Sequence, residues 1–254
     1  MTSGVKGAQS FSRSLGVLQI VADSDGEADI GRLQEATGLT RPTLYRILAS
    51  LEAEGLLVRR PGKQWELGAR LVALARKALA ESDIRTLARA HLEALRDRTG
   101  ETVHLALRSG DELVYVDKIE SRQLVRMSSE IGTRVTFYSS GVGKAFLSAL
   151  APPASERIIG ALEPRPMTRF TNTDKDVLRE VVSAARRKGY VVDAQENEEG
   201  IVCFGAPICA AEDRPVASVS VSVPLFRLKD DPNHYSVPLV ACTRSISDAV
   251  WGLY

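Results

Sequence analysis

The sequence predicts an α+β protein in two parts: a small helical head that closes with a hairpin, then a larger domain in which helices flank an antiparallel sheet. Three observations predict it. Apolar residues recur at helical spacing in two short segments on either side of Gly38. From Glu101 the period changes to alternation, so that Val103, Leu105 and Leu107 share one side of an extended chain. After residue 138, runs with caps and helical spacing interleave with strand-like runs, and no repeat or low-complexity linker divides the chain.

The small polar residues from Met1 to Gln9 are expected to be disordered. A first helix is marked from about Ser12 by Leu15, Leu18 and Val21 or Ala22. A second has Ile30, Leu33 and Ala36 at helical spacing behind Asp29, whose carboxylate can accept from the free N–H groups of the first turn. Gly38 stops it, because glycine reaches positive φ cheaply. Thr40 is the next N-cap, and Pro42 falls in a first turn where a missing N–H costs little. The third helix runs from about Arg41 to Glu54. Its inward side is Leu44, Ile47, Leu48 and Leu51, which leaves Arg41, Thr43, Tyr45 and Arg46 facing outward near its start. Leu56 to Val58 and then Trp65 and Leu67 bracket Arg59, Arg60, Pro61, Gly62 and Lys63, a hairpin with a basic tip.

A helix pair followed by such a hairpin is a winged helix-turn-helix. A plain packing unit has no need of an Arg-bearing outer face with a basic wing directly after it. Arg can donate two hydrogen bonds to guanine in the major groove, Thr and Tyr can reach bases or phosphates, and wing cations suit the DNA backbone.

Beyond the wing, Leu71, Leu74, Ala75, Ala78 and Leu79 form a stripe on a connecting helix. Ser82 or Asp83 caps another, Ile84 to Arg98, with Leu87, Leu92 and Leu95 inward and Gly100 at its end. These form a helical neck. A hairpin turns at Ser109-Gly110-Asp111, and Leu124 to Ser128 reads as a third strand. Helices are expected after Gly143, over Ser155 to Leu162, over Asp174 to Lys188 and from about Tyr235 to Gly252. Strands are expected over Tyr190 to Asp193, Ile201 to Cys209 and Val216 to Val223.

Composition narrows the function. Apolar content of 44% and charged content of 26% are ordinary for a globular chain of 254 residues, and a net charge of +1 requires any DNA affinity to be local. Three cysteines, Cys203, Cys209 and Cys242, have no C-x-x-C spacing, which argues against a disulfide framework or zinc finger and for a reducing cytoplasm. No run of about 20 apolar residues and no signal-peptide core is present, so no membrane partner is expected. His91, His104 and His234 have no metal-ligand spacing, no G-x-S-x-G elbow occurs, and Ser139 and Cys203 lack a base that sequence can place beside them. No cofactor and no catalytic residue is expected. An enzyme or a protein-only scaffold is the alternative reading, but the scaffold needs neither a basic wing nor a ligand pocket.

Two further stretches bear on ligand binding. Ser139-Ser140-Gly141-Val142-Gly143-Lys144 is a small-residue turn feeding a helix, whose free N–H groups can hold an anion or merely allow close packing. It lacks the spacing of a P-loop. Ser218, Ser220 and Ser222 share one side of a strand, as a solvated face or as the wall of an internal pocket.

The order GLTRPTLYRILASLEAEGLL, short wing, long helix is similar to the IclR family of bacterial transcriptional regulators, and later motifs extend the resemblance over nearly the whole chain. It implies a DNA-binding domain over residues 10–68, a linker helix over 69–82 and a GAF- or PAS-like effector and oligomerisation domain over 83–254. It implies DNA contacts from Thr40, Arg41, Thr43, Tyr45, Arg46, Arg59, Arg60 and Lys63 to a palindromic operator. By position it implies an effector pocket of Leu124, Met127, Val135, Gly141, Val142, Asp193, Ile201, Cys203, Ser220 and Ser222. The resemblance implies a regulator of a catabolic operon, and its expected effector is a small organic acid, an aromatic hydroxy acid first and a short oxo acid next. The expected assembly is a homodimer or homotetramer. The sequence departs from the family in Val142, where Ala is frequent, and in bulky Phe137 and Tyr138 nearby, both of which bear on pocket size.

Overall fold

A computed structural model describes residues 9–24, 28–60, 64–80, 83–124 and 129–251. Met1 to Ala8, Ser82, Lys63, the 125–128 part of the expected third strand with Met127, and the side chains of Ala78 and Leu79 lie outside the described residues. The chain divides into two units, Met1–Glu81 and Ser82–Tyr254.

The first unit carries α1 (Gln9–Ala22), α2 (Ile30–Thr37), α3 (Arg41–Ala53), β1 (Leu57–Arg59), β2 (Trp65–Leu67) and α4 (Ala69–Ala80). Asp29 caps α2, its Oδ1 accepting from the Arg32 N–H at 2.8 Å. Gly38 at φ 64° ends that helix by donating its N–H to Gln34 O. Thr40 stands at the N-cap of α3, but its hydroxyl pairs with Thr43 Oγ1 at 3.0 Å instead of capping a backbone N–H. Val17, Val21, Leu33, Leu44, Leu48, Leu51, Leu57 and Trp65 pack into one core. α1 starts at Gln9 and turns Val17 and Val21 inward, leaving Leu15 exposed, a shift of helical phase from the expected stripe. Ala36 is exposed as well, since the short α2 buries only Leu33. The hairpin pairs Val58 with Glu66, and Trp65 N donates to Ala28 O at 2.9 Å, which ties the wing to the segment before α2.

The second unit carries α5 (Asp83–Thr99), β3 (Thr102–Ser109), β4 (Glu112–Ile119), β5 (Arg134–Val135), α6 (Gly141–Ala149), α7 (Pro152–Ala161), α8 (Lys175–Lys188), β6 (Val191–Ala194), β7 (Ile201–Ala211), β8 (Arg214–Pro224) and α9 (Asn233–Val250). The strands form one antiparallel sheet in the order β5-β4-β3-β8-β7-β6. β5, which pairs with β4, was not expected; its two residues are too short to carry a period. In α5 the inward residues are Ile84, Ala88, Leu92 and Leu95, while Leu87 is exposed.

Both faces of the sheet are covered. α5 and α9 lie on one face, where Tyr235 stacks on Phe204 with ring centroids 5.0 Å apart, and Phe204 pairs with Val221. α6 covers the other, the face of Ser218, Ser220 and Ser222, so the serine row is buried rather than solvated. Phe137, Val142, Phe146, Leu147, Ile158, Leu178 and Val182 extend that packing into a core beneath α7 and α8. Among the described residues, no helix is long and apolar enough to cross a membrane.

Candidate functional site

In the head, the outward face of α3 is polar and open. Tyr45 is 53% exposed, Arg41 and Arg46 are exposed, and Thr43 is half-buried. Leu44, Leu48 and Leu51 hold the helix from behind, so this face is rigidly presented. Arg41 Nε donates to Gln34 Oε1 at 3.2 Å, an anchor on α2 that the sequence did not disclose. On the wing, Arg59 lies 6.0 Å over the Trp65 ring, and Arg60 Nε pairs with Glu66 Oε2 at 2.7 Å. That ion pair is well exposed, so a phosphate can compete for the guanidinium at small cost.

In the second unit, a cavity of about 250 Å³ opens on the serine face of the sheet. His104, Tyr115, Ser129, Thr133, Val135, Asp193, Asn197, Glu198, Ile201, Cys203 and Ser222 line it. A hydrogen-bonded chain crosses the wall. His104 Nε2 meets Ser129 Oγ at 2.7 Å, His104 Nδ1 meets Ser222 Oγ at 3.2 Å, and the Cys203 thiol donates to Ser222 Oγ at 3.3 Å. The His104 ring stacks on Tyr115 at 4.5 Å. Burial, helped by the Lys118 charge, holds the His104 pKa down at about 3, so the imidazole is neutral. Burial pushes the Cys203 thiol and the Tyr115 phenol well up, and neither ionises near neutral pH. A protonated thiol is a poor nucleophile.

Asp193 is raised to about 6, with burial outweighing the Lys144 charge and the backbone N–H groups it accepts from. Its Oδ1 receives the N–H of Glu196 at 2.8 Å and of Asn197 at 3.4 Å. Lys144, buried on α6, pairs with Glu196. The loop bearing Asn197 and Glu198 is tied down where Thr168 and Thr171 donate to Gln195 O and Glu196 O at 2.7 and 2.6 Å.

Of the expected effector residues, Val135, Asp193, Ile201, Cys203 and Ser222 stand in this wall. Gly141 and Val142 do not, although they adjoin it. Gly141 packs against the Cys203 Cβ, and Val142 is buried among Phe137 and Phe146. Ser140 Oγ takes the Gly143 N–H at 3.0 Å; the N–H groups of Gly141 and Val142 have no partner among the described residues. Ser220 is buried one register pair beyond Ser222, between Gly205 and His104, and its Oγ has no partner among the described residues. Leu124, 101% exposed, is not among the described residues that line the cavity. Met127 lies outside the described residues.

His104, Tyr115, Ser129, Thr133, Asn197 and Glu198 were missed. A signal existed for His104, since alternation sets it with Thr102 opposite Val103 and Leu105, and register then places it on the serine face. Asn197 and Glu198 sit in a loop with no period to read. Among the described residues, no group of three or more His, Cys, Asp or Glu is placed to hold a metal ion.

An open Arg- and Tyr-bearing helix beside a basic hairpin, carried with a separate domain that encloses a ligand-sized polar cavity, defines a DNA-binding regulator with an effector domain. Comparison with known proteins gives the family. Residues 76–248 match the model of the bacterial transcriptional regulator IclR C-terminal domain, and residues 10–61 match the IclR helix-turn-helix domain. The chain therefore belongs to the IclR family of bacterial transcriptional regulators. It is 28% identical over 250 residues to the transcriptional repressor IclR of Escherichia coli strain K12, covering 96% of this chain and 91% of that one. The crystal structure of Thermotoga maritima IclR is similar at a TM-score of 0.76 with 31% identity, over 94% of this chain and 98% of that chain. An IclR homologue from Microbacterium hydrocarbonoxydans, solved in complex with 4-hydroxybenzoate, has the same fold at a TM-score of 0.79 and 22% identity, over 95% of this chain and 98% of that chain.

Proposed function

We propose that this regulator controls a catabolic operon from the cytoplasm, binding a palindromic operator as a homodimer or homotetramer and responding to a small organic acid. An aromatic hydroxy acid is favoured and a short oxo acid comes next. The domains run over residues 10–68 for DNA binding, 69–82 for the linker helix and 83–254 for the effector. Arg46 and Tyr45 read bases, Thr40, Arg41 and Thr43 support them, and Arg59, Arg60 and Lys63 hold phosphates.

The observation that carries the effector reading is Ser220: a buried hydroxyl without a partner among the described residues costs about 1 to 3 kcal/mol, which a ligand oxygen reaching past Ser222 removes. The N–H groups of Gly141 and Val142 at the start of α6 suit the same oxygen. Tyr115, Val135 and Ile201 offer an apolar surround for an aromatic ring, and the 4-hydroxybenzoate of the Microbacterium homologue is a ligand of that class. Met127 is assigned to the same surround. Binding changes DNA affinity through a difference in ligand affinity between DNA-competent and DNA-incompetent arrangements.

Calorimetry with a panel of aromatic and short oxo acids tests this, on the wild type and on Ser220→Ala/Ser222→Ala, with gel shifts on operator DNA across salt concentrations. Effector binding that the double substitution weakens is expected. Equal binding by both proteins sinks the assignment of the pocket.

A further inference from the structure

Among the described residues, the cavity wall carries more negative than positive character, which is unusual for a site that receives an anion. Asp193 and Glu198 are both in its wall, and no Lys or Arg is among the described lining residues. His104 supplies no charge, because burial keeps the imidazole neutral. Lys144 acts on Asp193 from α6, but it is outside the wall, with its Nζ engaged by Glu196 and by Val192 O at 3.5 Å. Asp193 stands in that wall, is only 1% exposed, and takes the Glu196 and Asn197 N–H groups on Oδ1.

Among the described residues, the groups that face Asp193 can be named. Cys203 on β7 stands opposite it in register and stays a thiol. Lys144 comes from α6, Glu196 and Glu198 from the following loop, and the neutral His104 and Tyr115 close the far wall on β3 and β4. An incoming carboxylate thus meets a buried carboxylate with no new cation between them among the described residues. Two carboxylates that share a small enclosed space do not both stay ionised; one keeps a proton, and that proton bridges them.

Resting on the organic-acid reading above, we propose that this cavity takes up a carboxylate ligand together with one proton, shared between the ligand and Asp193. Asp193 is therefore the residue that sets which ionisation state of the ligand is accepted. In the empty cavity Asp193 titrates at about 6. At neutral pH it is mostly ionised, so the proton comes from solution when the acid binds. The direction follows: affinity for an acid falls about tenfold per pH unit above that value, whereas a neutral amide of the same shape, donating to the ionised Asp193, shows no such loss.

The test is calorimetry on the full chain between about pH 6 and about pH 8, each pH in two buffers of different ionisation enthalpy, so that proton uptake is counted directly. The probes are 4-hydroxybenzoate, pyruvate and the neutral 4-hydroxybenzamide. Expected is uptake of about one proton per acid bound near pH 7.5, a dissociation constant for the acid that rises about tenfold per pH unit, and an amide that binds without proton uptake. Asp193→Asn is expected to bind the acid with a dissociation constant that no longer changes with pH. The proton count on the wild type stands even where that variant fails to fold. An acid that binds the wild type without proton uptake overturns this proposal alone. Failure of both acids to bind at any pH in the range overturns the organic-acid reading, and the proposal with it.

Discussion

Replacing Gly205 by Ala perturbs the packing of α6 on β7 behind the cavity while leaving the polar lining residues untouched. A Cβ built there lies 2.2 Å from Gly141 O and 2.5 Å from Gly141 C, both backbone atoms. Ordinary contact of carbon with a carbonyl oxygen is above about 3 Å, so the start of α6 must retreat from β7 by roughly 1 Å. Neither partner yields easily. Gly205 is paired on both sides, to Val191 and to Ser220, and the α6 end is fixed by the Ser140 cap. Overpacking of this kind costs about 1 to 3 kcal/mol, and two hydrogen-bonded backbones place the prediction at the upper end, about 3 kcal/mol. The shift also moves Gly141 away from Cys203, whose Cβ lies only 3.2 Å from where a Cβ on Gly141 would stand, so effector affinity is expected to fall with stability. Urea unfolding followed by circular dichroism measures the first effect and calorimetry the second. Gly160→Ala is the control, because a Cβ there meets nothing within 4 Å inside α7, and it should stabilise by about 0.5 to 1 kcal/mol. A Gly205→Ala protein within about 0.5 kcal/mol of the wild type would show that the helix and the strand are not held as close as argued.

Arg46→Ala should lose about 1 to 3 kcal/mol at the operator and relax discrimination at one position, while Arg59→Ala and Arg60→Ala weaken all DNA alike and lower the salt slope by about one each; gel shifts on cognate and scrambled sites decide, and full discrimination by Arg46→Ala refutes the base-reading role. Ser220→Ala removes a buried hydroxyl that has no partner among the described residues, so the empty protein should gain up to about 1 kcal/mol while losing effector affinity; destabilisation of the empty protein contradicts this. The depressed His104 pKa, about 3 against 6.5 unfolded, means that the unfolded chain binds the extra proton, so stability falls as pH drops from 6.5 towards 3. His104→Asn should flatten that part of the pH–stability curve, and an unchanged slope there rules the histidine out.

The head was the more legible part because its signals are local. Asp29 and Gly38 act within one turn of α2, and Leu44, Leu48 and Leu51 repeat at the helix period, so sequence spacing and spatial neighbourhood coincide. Where several apolar residues competed for one stripe, as with Leu15 against Val17, spacing left the phase open and packing chose it. The cavity was legible only in pieces. Ser222, Cys203 and Asp193 lie in alternating strands, but Ser129, Asn197 and Glu198 enter from loops, where nothing periodic marks direction. Leu124 shows the converse, an apolar residue read as a strand member that turns to solvent. The neutral state of His104 could not be read at all, since it depends on burial that only the assembled sheet provides.

The strand order has a kinetic consequence. β3 and β8 are central neighbours, yet the His104–Ser222 hydrogen bond between them spans 118 residues of chain. Hairpins β3–β4 and β7–β8 close early from local contacts, whereas the seam between β3 and β8 waits for the whole intervening segment to be gathered, a step slowed by loop-closure entropy. The cavity straddles that seam, with His104 and Tyr115 on one side and Cys203 and Ser222 on the other. A nascent chain therefore lacks this cavity until β8 docks. With the effector pocket placed as proposed, a bound effector bridges the same seam, and because it binds the folded chain alone it is expected to lengthen the life of the occupied regulator against proteolysis.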